Sequence, residues 1–383
     1  MDFDLQWLLL GLPIAFGFGW LASRIDVRQW QRAQQESPRA YFKGLNLLLN
    51  EQQDKAIDAF IEAVQHDPGS SDLHFALGNL FRRRGEYERA VRVHQHLVAR
   101  ADLPAAERDR AQHALAQDFM KAGLFDRAEQ AYRALDGTLF ATEARLALLT
   151  LHERSRDWKA AIEVARSLEA MAAGSFAQRI AHYWCELALE AEARGQAEDA
   201  ESALQRAREA APQAARPLVL TGQRLVRLGR HAEALALWAP LMGVHPDAFG
   251  VIAADYAAAA QACGQVESAR AQLLQLHARQ PSVDLLNALL RLESDAAARR
   301  QLLLAHLQQQ PALTAALALL KESGEAALPA DSAQAVQQAV LRAARPLQRY
   351  RCAACGFEAQ QYFWQCPGCH GWDSYPPRRL EDQ

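Results

Sequence analysis

Apolar and polar positions divide this 383-residue chain into three differently patterned stretches. From Leu5 to Ser23 no charge interrupts the nineteen residues LQWLLLGLPIAFGFGWLAS. A helix of that length spans roughly 28 Å, about the thickness of a bilayer's hydrocarbon core. Trp7 and Trp20 stand near its two ends, where amphipathic rings favour the lipid–water interface. Asp2 and Asp4 precede the stretch and Arg24, Arg28 and Arg32 follow it, the reverse of a cleaved signal peptide. The pattern predicts an uncleaved transmembrane anchor with its N-terminus outside and the bulk of the chain cytosolic, because basic residues stay on the cytoplasmic side. Gly11, Ala15 and Gly19 recur every four residues and line one stripe where a second membrane helix can approach closely.

Beyond residue 36 the apolar positions take helical spacing and then repeat. An Ala opening a second helix recurs as Ala56, Ala90, Ala128, Ala161, Ala200, Ala234 and Ala269, with steps of 34, 38, 33, 39, 34 and 35. Twelve residues upstream stands Gly44, Gly78, Ala116, Leu149, Ala188, Gly222 or Ala257; four downstream stands Phe60, His94, Tyr132, Ala165, Leu204, Trp238 or Leu273. A small residue in the first helix lets the second pack close, and the large one fills the space beside it. Gly85, Gly123, Gly195, Gly229 and Gly264 sit five residues before an Ala, where a positive φ ends the first helix. Pro68, Pro212, Pro246 and Pro281 close four units. The unit around Ala161 lacks both the small residue and the turn Gly. This pattern resembles the tetratricopeptide repeat over residues 37–281, and the resemblance implies an all-α, right-handed α-solenoid. Helical character continues past Pro281 with tighter spacing, as expected of degenerate helical pairs that cover the last apolar face.

Such a stack has a concave surface lined by the first helix of each unit. By repeat position Asn79, Arg82, Arg83, Arg110, Lys121, Arg154, Arg216 and Arg227 are expected there or on its rim, a basic groove suited to acidic peptides or a C-terminal carboxylate.

The third stretch is the tail. Four of the six cysteines, Cys352, Cys355, Cys366 and Cys369, fall within eighteen residues as two Cys-x-x-Cys turns. Two such turns can present four thiolates to one Zn or Fe ion. About thirty residues bury too little to fold alone, so the metal supplies much of the stability. Cys185 and Cys263 are isolated, which is no disulfide framework and points to a reducing compartment. The tail resembles the rubredoxin-type knuckle and the wider zinc ribbons, except that His370 stands where Gly usually follows the last Cys. His370 is expected beside the ion or at the surface, not on it. The chain therefore divides into an anchor (1–24), a juxtamembrane linker (25–36), repeats (37–281), a degenerate helical cap (282–345) and a knuckle (346–383).

Charge and motifs narrow the function. Forty-two Lys and Arg against 45 Asp and Glu give a net charge of −3, which argues against nucleic-acid binding despite Arg349, Arg351, Arg378 and Arg379 in the tail. There is no Gly-rich phosphate loop, no His-Glu-x-x-His and no Gly-x-Ser-x-Gly elbow, so an enzyme is not expected. His182 and Cys185 are close in sequence, but the helix is amphipathic and its apolar face takes the Cys.

Anchor, repeats and knuckle together resemble the lipopolysaccharide assembly protein B family of Gram-negative bacteria. Supporting stretches are AYFKGLNLLLNEQQDKAIDAF at residues 40–60, YRCAACGF, and WQCPGCHGWDSYPP. The resemblance implies an inner-membrane adaptor facing the cytosol that presents the LpxC deacetylase to the FtsH-type membrane protease. It also implies links to an inner-membrane lipopolysaccharide regulator and to assembly proteins. The pattern is compatible with a homodimer. Two alternatives stay open: a rubredoxin-like electron-transfer protein on a repeat scaffold, and a general peptide-binding scaffold for envelope biogenesis.

Overall fold

The computed structural model describes residues 16, 42–47, 49–50, 52–310, 312–323 and 340–382. The expected anchor, including Gly11, Ala15 and Gly19, lies outside the described residues apart from Phe16, as does the linker. Among the described residues no helix is long and apolar enough to cross a membrane. The chain forms two compact units, one up to Gly174 and one from Ser175 onward.

In the N-terminal unit, residues 42–47 are helical and are followed by Gln53–His66, Ser71–Arg84, Tyr87–Ala99, Ala105–Lys121, Phe125–Arg133, Ala141–Ser155 and Trp158–Ala170. Each Ala of the series is buried, between 0% and 2% exposed, because the neighbouring helix passes directly over it. The small residue upstream has an equally direct cause. A Cβ on Gly44 would lie 2.7 Å from the Phe60 ring, and one on Gly78 would lie 2.5 Å from the His94 ring. In the unit around Ala161 the sizes are exchanged: Leu149 in the first helix and Ala165 in the second are both fully buried. The turn is preserved there too. Arg156 takes φ 58°, the left-handed conformation held by Gly85 and Gly123 at the matching positions. His94 is no ordinary space-filler, since its Nδ1 lies 2.5 Å from buried Asp118, which also pairs with Arg82 at 2.8 Å.

The C-terminal unit continues the pattern with Ala177–Ala193, Ala197–Ala210, Ala215–Arg227 and His231–Trp238. A Cβ on Gly222 would fall 2.1 Å from Trp238 Nε1. The Ala234 helix was expected to run toward Pro246. It ends at Trp238 because Pro240 cannot continue it, and the chain steps through Leu241–Val244, Pro246–Phe249 and a 3-10 turn before Ala253–Ala262. Val266–Arg279, Val283–Leu292, Ala296–Gln309 and Leu313–Ser323 follow. Ser282 and Asp295 cap two of these by accepting N–H groups of the first turn. One apolar core runs from Val219 and Trp238 through Phe249 and Tyr256 to Leu289. Residues 340–347 are helical and lead into the tail.

Candidate metal centre

The tail opens with two short antiparallel strands, Tyr350–Arg351 and Glu358–Ala359, which close the first knuckle by pairing Tyr350 with Ala359 and Arg351 with Glu358. The second knuckle is closed by a bridge between Gln365 and Trp372. The two turns share one backbone plan. Cys352 N–H donates to Phe357 O and Cys366 N–H to Gly371 O, each at 2.9 Å; Gly356 N–H donates to Cys352 O and His370 N–H to Cys366 O, each at 2.8 Å. Gly356 has φ 76° and His370 φ 57°, so His370 occupies the left-handed position that glycine fills in the first turn. Its side chain is exposed, and the ligand cluster consists of the four cysteines.

All four sulfurs lie within 4.8 Å of one another. Cys352 and Cys369 are 3.8 Å apart, Cys355 and Cys366 3.6 Å. A tetrahedral ion with bonds of about 2.3 Å sets its sulfurs about 3.8 Å apart, so the cage fits one Zn or Fe. Electrostatics agree. Burial opposes ionisation of Cys352, but Ser374 and the N–H groups of Cys355 and Ala354 overcome it and bring the thiol to about 6. At Cys355 the Phe357 N–H favours the thiolate, yet burial and the three neighbouring sulfurs push the thiol up to about 12. Four thiolates at this spacing need a cation among them. The four cysteines form a metal-binding site.

The knuckle does not hang free. Trp372 stacks on His182 with ring centroids 4.6 Å apart, and His182 Nε2 donates to Asp373 Oδ2 at 2.9 Å. Gln178 donates to the same oxygen at 2.8 Å. Arg216, 4% exposed, holds Glu186 at 2.5 Å and lies over Trp364 and Trp372 at 5.8 and 5.6 Å. Farther along, Arg378 pairs with Asp247 at 2.7 Å and Arg379 with Asp284 at 3.1 Å. Asp382 accepts the Val283 N–H at 3.1 Å, and Glu381 accepts the Thr314 N–H at 2.6 Å. Gln178, Arg216, Asp247 and Asp284 belong to the first-helix segments of four successive helical pairs, and Thr314 to the helix that follows them. Knuckle and tail thus lie across the C-terminal unit, and a cleft of about 870 Å³ remains between Arg216, Trp364, Pro246 and Pro377. Burial raises the Asp284 carboxyl despite Arg379, and burial likewise lifts Asp382 to about 6.

The residues expected in a basic groove separate into distinct groups. Arg82 is committed to Asp118, to the Ala114 carbonyl and to Asn79 Oδ1. Arg110 pairs with Asp72 at 3.2 Å and covers the Phe75 ring; Arg227 pairs with Glu192 at 2.5 Å. Arg216 is not a solvated groove residue: it is buried beneath the knuckle. Arg83, Lys121 and Arg154 are exposed. Sequence reasoning passed over His182 as unremarkable, and nothing local could have signalled its role, because Asp373 lies 191 positions away. Cys185 is fully buried and burial pushes its thiol up to about 12, as its place on the apolar face of that helix requires.

Comparison with known proteins agrees with both parts. The rubredoxin metal binding domain family matches residues 350–376, and the tetratricopeptide repeat family matches residues 43–102, 113–176 and 185–239. Over 387 residues the chain is 30% identical to lipopolysaccharide assembly protein B of Escherichia coli (strain K12), covering 98% of each chain. It is 28% identical to the protein of the same name from Haemophilus influenzae, covering 97% of this chain and 98% of that one. Among solved structures, MamA protein is 18% identical, covers 47% of this chain and 94% of that one, and gives a TM-score of 0.35. With repeats and metal knuckle aligned together over nearly its whole length, the chain belongs to the lipopolysaccharide assembly protein B family.

Proposed function

We propose that the chain is an inner-membrane, cytosol-facing adaptor that regulates lipopolysaccharide synthesis by presenting the LpxC deacetylase to the FtsH membrane protease. The observation that carries this reading is the closed four-sulfur cage seated across successive helical pairs. Four chain ligands complete the ion's tetrahedron, which makes the metal a clasp for a scaffold rather than a centre for hydrolysis. The relatives are named for lipopolysaccharide assembly, and tetratricopeptide repeats build surfaces for holding other proteins.

In this proposal residues 1–24 anchor the chain in the membrane plane, and the Gly11, Ala15 and Gly19 stripe contacts a membrane partner. The repeats hold the soluble client. Confinement beside the protease raises the client's effective concentration without any new contact between the two. Depleting the chain from cells is expected to lengthen the half-life of the deacetylase and raise its level. An unchanged half-life removes the adaptor reading.

Exposure of Cys355 and Cys369 favours one second reading, an iron site that exchanges electrons. It requires bound iron with visible absorbance and a reversible redox wave. A zinc-loaded, colourless protein with full activity in cells excludes it.

A further inference from the structure

Carboxylates of the tail meet the first turns of three helices in the C-terminal unit. Asp373 accepts from the Gln178 side-chain amide at 2.8 Å, Asp382 from the Val283 N–H at 3.1 Å and Glu381 from the Thr314 N–H at 2.6 Å. An acidic group there suits the positive end of a helix. Among the described residues no tail carboxylate meets the first turn of Ala215–Arg227. Its N-cap is Ala214, which has no side-chain oxygen to accept the first N–H groups. The cleft of about 870 Å³ opens at that place, with Ala214, Ala215 and Arg216 among its walls.

Arg216 is an independent sign of the same kind. Its buried side chain is paired through Nη2 alone, with Glu186, while Nε and Nη1 are buried without a hydrogen-bond partner. Trp364, which lies over the guanidinium, is itself a wall of the cleft. The two carboxylates that line the cleft are already held, Asp373 by His182 and Gln178, Asp247 by Arg378. Tyr362 stands edge-on to Trp364 with ring centroids 5.1 Å apart, so flat aromatic surface lies beside the uncapped turn. We propose that this cleft binds a small phosphate ester carrying a flat ring, a mononucleotide being the plainest case. The phosphate sits on the first-turn N–H groups of Ala215 and Arg216, since an open helix N-terminus favours an anion. The ring stacks on Trp364, and a tilt of that indole opens Arg216 Nε and Nη1 to the phosphate. The cleft has room for such a molecule, ligand clefts running to about 300–1,000 Å³. This site goes beyond the adaptor reading and stands on the docked knuckle alone.

The test titrates the full metal-loaded chain in detergent with AMP, GMP and UMP by calorimetry, and separately with adenosine and inorganic phosphate. At least one mononucleotide is expected to bind about tenfold or more tighter than adenosine or phosphate alone. Arg216→Met would also strand Glu186, so the decisive variant is Ala214→Asp, which puts the missing carboxylate at the N-cap. Asp is a favoured residue there, so the fold is retained while nucleotide binding falls about tenfold or more. Gln196→Asp makes the same change at the N-cap of Ala197–Ala210, whose other end, at Ala210, faces the cleft. It is expected to change binding by less than about threefold. Val244 is exposed and lines the cleft, and Val244→Trp is expected to block the same nucleotides by bulk. Circular dichroism, and hydrogen exchange of Ala177–Ala193, verify the fold and the docked knuckle in each variant. Four results overturn the proposal: no binding of any of the three mononucleotides at millimolar concentration, adenosine or phosphate binding as tightly as they do, equal losses in Ala214→Asp and Gln196→Asp, or binding that survives both Ala214→Asp and Val244→Trp.

Discussion

Substituting Ala for Gly222 inserts one methyl group where the second helix of the unit leaves no room. The added Cβ would lie 2.1, 2.2 and 2.6 Å from three atoms of the Trp238 indole, against ordinary contacts of about 3.5–4.0 Å. The ring must retreat by more than about 1 Å, yet it is fully buried among Val219, Leu235, Leu241 and Phe249. Overpacking of this kind costs about 1–3 kcal/mol. Moving the indole also breaks its N–H donation to Leu218 O, now 3.2 Å, and an unpaired buried donor costs about 1–3 kcal/mol more. Against these stands about 1 kcal/mol gained by replacing a mid-helix Gly with Ala. A net loss of about 1–5 kcal/mol is expected. It should appear in urea unfolding followed by circular dichroism, with hydrogen exchange locating the loosened helices at Ala215–Arg227 and His231–Trp238. The control is the double variant. Trp238→Leu alone costs about 2–4 kcal/mol by opening a cavity, but in that background Gly222→Ala should be neutral or stabilising. If Gly222→Ala proves harmless alone, or costs as much in the Trp238→Leu background as beside the native indole, the close-packing account of the repeat is wrong.

Further expectations concern the turns, the clasp and pH. His370→Gly and Arg156→Gly should each stabilise the chain by about 1 kcal/mol, since both residues sit at positive φ; a loss of stability in urea titration would contradict this. Stripping the ion with a chelator should unfold residues 350–376 and expose backbone amides of Ala177–Ala193 around His182 to hydrogen exchange, whereas unchanged protection there would mean that the knuckle does not hold that helix. His277 and His306 face each other at 3.0 Å, and burial pushes both down, His277 to about 4. Their folded pKa values lie below the ordinary histidine value of about 6.5, so the unfolded chain takes up protons that the folded chain refuses. Stability should therefore be full above about pH 6.5 and fall as pH drops toward 4. His277→Gln should flatten that limb, and an identical acid profile in the variant would exclude the pair as its cause.

Features fixed by local spacing were readable from the chain alone. The Ala series, the small and large partners, the turn glycines and the four cysteines all act within one helical pair or one knuckle. Their physical cause is short-range. Leu149 and Ala165 show where this reading stops. Packing constrains the sum of two volumes, so a unit that exchanges them looks broken in sequence while filling the same space. Arg156 shows the same for backbone conformation, because the turn demands a φ rather than a glycine. Long-range electrostatics was least readable. Arg82 and Arg216 looked like groove cations, but one turns inward to Asp118 and the other is trapped between Glu186 and two indoles of the tail. Neither partner set is adjacent in sequence to the arginine it binds.

The knuckle lies at the far end of the chain from the first helices it binds, and that order has a consequence for biosynthesis. A ribosome releases Ala177–Ala193 long before it makes Trp372 and Asp373. Until the knuckle has closed on an ion and Arg378 and Arg379 have followed it, His182, Asp247 and Asp284 wait in a half-built stack with their final neighbours missing. Completion of the C-terminal unit therefore depends on metal supply at the moment of synthesis, and a chaperone or a protease encountering the nascent chain meets a different face from the one the finished molecule presents.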